Sequence, residues 1–449
     1  MAKQKTLYEC QSCGYQSAKW MGKCPNCGAW ESFLELSKEQ KEFLKSSSLT
    51  NNNKASQAIS IVDIKEEKLD RFSSNDHELD LVLGGGIVKG SLTLIGGSPG
   101  VGKSTLLLKI GSNIAQNGKN VLYVSGEESL GQIKLRANRL NANSKNLFML
   151  SEIRLEDIFN ELNSKKYDLL IIDSIQTIYS DKIPSAPGSV SQVREITFSL
   201  MRYAKENDVA TFIIGHITKE GSIAGPRVLE HMVDTVLYFE GDANKELRLL
   251  RGFKNRFGST SEVAIFEMTK EGLNSSKDIS KKFFERRALS SGSALTVILE
   301  GSRPIIIEVQ ALVSESNYPS PKRSATGYEL NRLNMLLALL EKKLSIPLNN
   351  YDVFINISGG IKINETSADL AIVAAIISSF RDRKLSLDTI FIGEVSLTGE
   401  VRDVFNLDIR LKEAETGEFK KAIVPKLPLE KNKIKCFQIT EVSKLIEWM

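Results

Sequence analysis

The run Gly97-Ser98-Pro99-Gly100-Val101-Gly102-Lys103-Ser104 fits G-x-x-x-x-G-K-[ST], and no other stretch of the chain restricts its fold as tightly. An apolar run, residues 92–95, precedes it and Leu106-Leu107-Leu108 follows, so strand, glycine loop and helix come in the order a phosphate loop needs. Glycines at 97, 100 and 102 admit backbone conformations closed to other residues. They turn N–H groups toward phosphate oxygens at the positive end of the helix that Lys103 opens. Lys103 is expected to reach the β- and γ-phosphates of a nucleoside triphosphate, and the Ser104 hydroxyl to ligate Mg²⁺. The binding segment is Gly97, Ser98, Pro99, Gly100, Val101, Gly102, Lys103, Ser104 and Thr105.

Hydrolysis needs carboxylates beside that loop. Leu169-Leu170-Ile171-Ile172-Asp173 is an apolar run ending in an acid, the form of a Walker B strand, so Asp173 is expected to hold Mg²⁺ directly or through water. Glu127 and Glu128 follow a second apolar run, residues 121–125, where a carboxylate can orient and deprotonate the attacking water. Glu127 is preferred as the base; the plain alternative is a pair of acids in the first turn of the next helix, favoured there by the helix dipole. His216 ends another apolar run, as a γ-phosphate sensor or as a histidine satisfied by its neighbours.

Strand-like runs over 121–125, 167–174, 209–217 and 236–240 alternate with helical stretches such as 189–205, the pattern of an α/β, doubly wound and mostly parallel sheet. Its ligand then lies at the carboxyl ends of the strands. The loops at 180–191 and 219–227 carry Gly, Pro and Ser with scattered Lys and Arg, a composition that suits either solvated loops or a path for a phosphate backbone.

Four of five cysteines form two C-x-x-C pairs, Cys10/Cys13 and Cys24/Cys27. Four thiolates close a tetrahedral Zn²⁺ site at about 2.3 Å per bond with no open position, so the metal is structural. With no room for a core, residues 1–33 depend on that metal to fold, and Tyr8, Trp20, Trp30 and Phe33 are expected to cover it. Residues 34–62, rich in Ser, Asn and Lys, read as a flexible linker, 63–284 as the nucleotide-binding core, and 285–449 as a separate α+β domain. The net charge of +4 is too small to argue for a nucleic-acid partner. No apolar run approaches the roughly 20 residues of a membrane span, and the N-terminus has no signal-peptide core, which places the chain in the cytoplasm.

Lys254-Asn255-Arg256-Phe257-Gly258 puts two cations two residues apart beside a strand-like stretch, facing one way if extended. With Gly84-Gly85-Gly86, the phosphate loop and Val124-Ser125-Gly126-Glu127-Glu128-Ser129, this pentapeptide resembles the bacterial RadA (Sms) family of DNA-repair proteins, and the four-cysteine module stands in that family's place. The resemblance covers essentially the whole chain. It implies a RecA-like ATPase using ATP and Mg²⁺, assembled as a homo-oligomeric ring, expected to be a hexamer. It also implies binding of single-stranded DNA and work on branched recombination intermediates alongside the RecA recombinase. In such a ring Lys254 or Arg256 crosses to a neighbour's γ-phosphate or contacts DNA phosphates.

The C-terminal part is similar to the proteolytic domain of the Lon family, through residues 359–369 and 391–401. Ser367 falls at that family's nucleophilic serine. The position expected for its activating lysine holds Asp408, with Lys412 a turn away. A carboxylate cannot replace a lysine that must be neutral beside the hydroxyl, so peptidase activity is not expected and Ser367 reads as a helix N-cap. Assembly remains as the domain's use, with Lys343, Arg381, Arg383 and Lys384 as candidates for a DNA path.

Overall fold

The computed structural model describes residues 8–10, 15–26, 28, 30–35, 60, 62, 69–216, 228–241, 247–275, 288–318, 320–426 and 433–448. They fall into two compact units, 1–275 and 276–449. The expected linker lies almost wholly outside the described residues, as do Cys13, Cys27 and residues 217–227.

The amino-terminal ribbon is a three-stranded antiparallel sheet in which β1 (Tyr8–Cys10) lies between β2 (Gln16–Ser17) and β3 (Phe33–Glu35). Cys10, Cys24 and Phe33 form its buried cluster. The two tryptophans depart from the expected cover, because so small a ribbon has too little interior for them. Trp20 is 54% and Trp30 72% exposed, and the Lys23 ammonium stands 5.4 Å over the Trp30 ring.

After β4 (Arg71–Phe72), α1 (His77–Val82) and β5 (Ile87–Val88), the central strand β6 (Leu92–Gly97) leads into α2 (Lys103–Gln116). Then come β7 (Val121–Ser125), α3 (Leu130–Arg139), β8 (Leu147–Ser151), α4 (Leu155–Ser164), β9 (Leu169–Asp173), α5 (Val190–Asn207) and β10 (Ala210–His216). The unit closes with α6 (Val228–Met232), β11 (Thr235–Glu240), β12 (Leu247–Asn255), β13 (Val263–Thr269) and β14 (Gly272–Ser275). The nine-stranded sheet has the order β14-β13-β12-β11-β6-β10-β9-β7-β8. Strands β8 through β11 in that order are parallel, while β12, β13 and β14 extend the sheet antiparallel.

Alternation along the strands explains why both faces are covered. Val121, Tyr123, Leu169 and Ile171 join the cluster under α2, whereas Leu122, Val124, Leu170 and Ile172 join the cluster under α4 and α5. Successive side chains point to opposite faces, so near-continuous apolar runs are what a sheet buried on both sides requires. The register sets Gly97 beside His216 and Ser125 beside Asp173, so the ends of β6, β7, β9 and β10 share one edge.

The second unit holds a four-stranded sheet of β15 (Ser293–Glu300), β16 (Arg303–Glu315), β17 (Arg323–Thr326) and β18 (Tyr351–Ile357), in the order β15-β16-β18-β17. Three helices accompany it: α7 (Leu330–Leu344), α8 (Asp369–Phe380) and α9 (Leu407–Thr416). β19 (Thr389–Phe391) precedes a small ladder of β20 (Glu394–Val395) with β21 (Val401–Arg402), and β19 pairs in parallel with β22 (Lys421–Pro425), which pairs with β23 (Lys435–Ile439). Helix α8 is buried from Asp369 to Ser378, as a helix apolar on every side must be. Lys343, Arg383 and Lys384 are exposed and Arg381 is half-buried.

Candidate functional site

Each glycine of the phosphate loop has its own reason. A Cβ on Gly97 would lie 2.6 Å from the Phe239 carbonyl oxygen of β11, and Gly102 caps α2 at φ +115°. At Gly100, φ +77°, no atom of the described residues lies within 4 Å of where a Cβ would stand, so among these residues the loop is backed by the sheet and open on its other side. Lys103 is nearly buried, and its Nζ donates to the carbonyls of Gly97 (2.7 Å) and Ser98 (3.0 Å), folding the loop around the ammonium. Burial holds the Lys103 pKa below its ordinary value, against the pull of the Asp173 and Glu127 carboxylates. Arg248 of β12, itself buried, donates from Nε to the Val101 carbonyl at 3.1 Å and pins the loop from below.

Asp173 ends β9 almost fully buried, and Tyr123 Oη on β7 donates to its Oδ2 at 2.5 Å. Burial, with Asp173 adjacent, pushes the Tyr123 hydroxyl well above its ordinary pKa and so keeps it a donor. Glu127 is exposed, and its Oε1 accepts from Ser174 Oγ at 2.5 Å. Glu128 instead pairs with Arg136 of α3. Helix α3 starts after Ser129, whose side chain and Gln132 form a capping box, so neither glutamate stands in a helical first turn.

A cradle with an ammonium at its floor, a helix N-terminus and two carboxylates fits a nucleoside triphosphate with its Mg²⁺. Ser104 is half-buried, and its hydroxyl makes no hydrogen bond among the described residues. Ser104 and Asp173 are the groups that would hold the cation. The backbone of His216 ends β10 beside Gly97; the loop at 219–227 lies outside the described residues. The other loop is ordered from within: Gln192 donates to the carbonyls of Ser180, Ile183 and Ser185 and accepts from Ser180 N.

The two cations at 254 and 256 turn toward the same segment and do different things. Lys254 Nζ donates to the carbonyls of Glu230, His231 and Val233 at 2.7–3.0 Å, closing the carboxyl end of α6. Arg256, 52% exposed, lies 3.3 Å from Asp234. Thr235 pairs with both Asn255 and Thr93, so Arg256 sits at the amino-terminal end of β6. At about 3.3 Å per residue that is roughly 16 Å from Gly97, beyond its reach within one subunit. The pentapeptide also meets the triple glycine: a Cβ on Gly84 would lie 3.0 Å from Gly258 Cα, and Arg71 bridges the carbonyls of Gly84 and Phe257.

In the ribbon, the chain turns back at each described thiol through Cys10 N to Tyr15 O and Gly28 N to Cys24 O, with Gly28 at φ +75°. Two buried thiols on two such turns fit half of a four-thiolate zinc set, with Cys13 and Cys27 as the other half.

In the second unit, Asp408 is exposed and does not face Ser367. Arg410 does. Its guanidinium, 1% exposed, donates to Ser367 Oγ (2.8 Å), to both oxygens of Glu365 (2.7 Å each) and to the Val297 carbonyl (2.7 Å). Nor does Ser367 cap α8: the N-cap is Ala368, and the Ser367 hydroxyl donates to Glu365 at 2.6 Å. The buried guanidinium takes the hydroxyl that an N-cap would need. Arginine stays protonated and cannot act as a base, and the Glu365 carboxylate that accepts from Ser367 is held on both oxygens by Arg410, so among the described residues Ser367 meets no free base.

Sequence reasoning did not single out Tyr123, Ser174, Arg248 or Arg410 as functional. Only Ser174, directly after the strand-ending acid, carried a local signal.

Comparison with known proteins agrees with this layout. A family model described as an AAA domain matches residues 60–222, a rubredoxin metal binding domain matches 8–35, and subunit ChlI of Mg-chelatase matches 332–427. The first two imply ATP, Mg²⁺ and zinc as cofactors. The chain is 66% identical to a DNA repair protein RadA of Campylobacter jejuni over the whole of both chains. It is 49% identical to that of Bacillus subtilis over 96% of this chain and 94% of the relative. Against that of Aquifex aeolicus it is 46% identical over 100% and 99%.

Proposed function

Because this chain belongs to the RadA family of DNA repair proteins, we propose that it is a DNA-dependent ATPase that binds single-stranded DNA and drives branch migration or extension of recombination intermediates. It hydrolyses ATP, and the observation that carries the reading is the meeting of Lys103, Asp173 and Glu127 at one edge of the sheet. The cation, once bound, neutralises phosphate charge. Lys103 leaves its loop carbonyls for the β- and γ-phosphates, Tyr123 holds Asp173 in place, and Glu127 takes the proton of the attacking water. Glu127 serves as this base in preference to Glu128, whose carboxylate is held by Arg136.

Motion on DNA needs subunits to act in turn. Arg256, too far from its own loop and half exposed, is the cation that meets a neighbour's γ-phosphate in a hexameric ring, while Lys254 holds α6 in place behind it. The loops at 180–191 and 219–227 line the DNA path, and the RecA recombinase is the partner in the cytoplasm. The second unit serves assembly and not proteolysis, because Arg410 occupies Ser367. No helix among the described residues is long and apolar enough to cross a membrane.

The test is ATP turnover with and without single-stranded DNA, together with sedimentation and a branch-extension assay. Stimulation by DNA, lost in Lys103→Ala, and a ring-sized species support the reading. Turnover indifferent to DNA and to Lys103 would reject it.

A further inference from the structure

Glu127 stands on an exposed segment between β7 and α3, where a long side chain has many rotamers to choose from. A base must nevertheless meet its water in one geometry. Ser174 supplies a fixed point. It is fully buried, its Oγ donates to Glu127 Oε1 at 2.5 Å, and its own carbonyl accepts from Thr177 N (3.2 Å) and Thr177 Oγ1 (2.8 Å). Thr177 in turn fills the space beside Gly126 so closely that a Cβ there would lie 2.1 Å from its Oγ1. Gly126 N donates to the Asp173 carbonyl at 2.9 Å, and Ile175 N to the Ile214 carbonyl at 3.0 Å. Ser174 is thus tied to β7, β9 and β10 at once, at the edge where the phosphate loop lies.

We infer that Ser174 is a positioning residue for hydrolysis: its hydroxyl fixes the Glu127 carboxylate toward the nucleotide. The inference rests on Glu127 being the base. The same hydroxyl opens the loop that runs to α5, so a displacement of that loop acts on the base through one hydrogen bond.

The experiment uses the full chain at saturating single-stranded DNA, with Ser174→Ala, Ser174→Thr, Glu127→Gln and the Ser174→Ala/Glu127→Gln pair. Ser174→Ala is expected to lower kcat on the order of tenfold with the KM for ATP within about twofold. The acid limb of its kcat–pH profile should move to higher pH, because a carboxylate that loses a donor protonates more readily. Ser174→Thr, which keeps the hydroxyl, should recover most of the rate. In the Glu127→Gln background Ser174→Ala should cost nothing further. An unmoved acid limb, a raised KM at unchanged kcat, or an equal loss in the Glu127→Gln background would overturn the inference. Wild-type turnover in Glu127→Gln alone would instead overturn the reading of Glu127. If Ser174→Ala does not fold, Thr177→Val loosens the same anchor: the same limb shift with a smaller loss of kcat is expected, and an unchanged profile would overturn the inference.

Discussion

A serine hydroxyl donates to a glutamate in each unit, at 2.5 Å from Ser174 to Glu127 and 2.6 Å from Ser367 to Glu365, and the two pairs have opposite uses. In the first, a buried serine holds an exposed glutamate beside the phosphate loop, close enough to Lys103 to act on its charge. The second is shut: a buried arginine binds both oxygens of the glutamate and the serine as well. Burial alone would raise the Glu365 pKa, but hydrogen bonds from Arg410 and Ser367 outweigh it and hold the carboxyl below its ordinary value. In the proposed reading the same two residue types serve hydrolysis where a lysine of the phosphate loop stands near, and form a structural lock where the third partner is a guanidinium in the core.

The largest effect expected of this contrast lies in the first unit. Lys103→Ala should lower ATP turnover about a hundredfold or more while the circular dichroism spectrum stays native, since a preorganised cation acting on developing charge is lost. Next comes Arg410→Met, which strands Glu365 as a partly buried charge and should destabilise the second unit by about 3 kcal/mol; adding Glu365→Gln should recover part of it. Thermal unfolding followed by Trp448, which packs on Phe437 at 4.2 Å between ring centroids, reads this in a Trp20→Phe/Trp30→Phe background.

Acid should then separate the units. Because the Glu365 pKa is depressed in the folded state, its contribution is present above the unfolded value of about 4.3 and fades as pH falls through the folded one. The melting temperature of the second unit should therefore drop below about pH 4.5, and Glu365→Gln should flatten that slope; a slope unchanged by Glu365→Gln would break the account of the lock. Smallest of all, Ser367→Ala should cost about 1 kcal/mol in the second unit and leave ATP turnover untouched.

The phosphate loop was legible because its geometry is written in consecutive residues: each glycine answers to a turn or a contact within the loop or the strand beside it. The parallel core was legible from strand-like runs that alternate with helical stretches. What stayed hidden depends on register between distant segments. Ser174 meets Glu127, and Tyr123 meets Asp173, only because β7 and β9 pair with Ser125 beside Asp173, residues 48 apart in the chain. The antiparallel extension β12–β14 was hidden for the same reason, since its strands take their partner from the edge of the parallel sheet. Arg410 was missed differently. Counting along the chain led to Asp408, but the phase of α9 is set by Leu407, Leu411 and Ala414, all buried, and position 410 shares their face while 408 does not. A helical reading of those leucines would have placed the arginine inside.

The comparison is tested most directly by steady-state ATP turnover of Glu127→Gln and Ser367→Ala, measured side by side on the full chain with single-stranded DNA. The two glutamate–serine pairs predict a loss of about a hundredfold or more for Glu127→Gln and a wild-type rate for Ser367→Ala. Near-normal turnover in Glu127→Gln, or a loss in Ser367→Ala with its fold intact, would contradict the assignment of chemistry to the first unit and structure to the second.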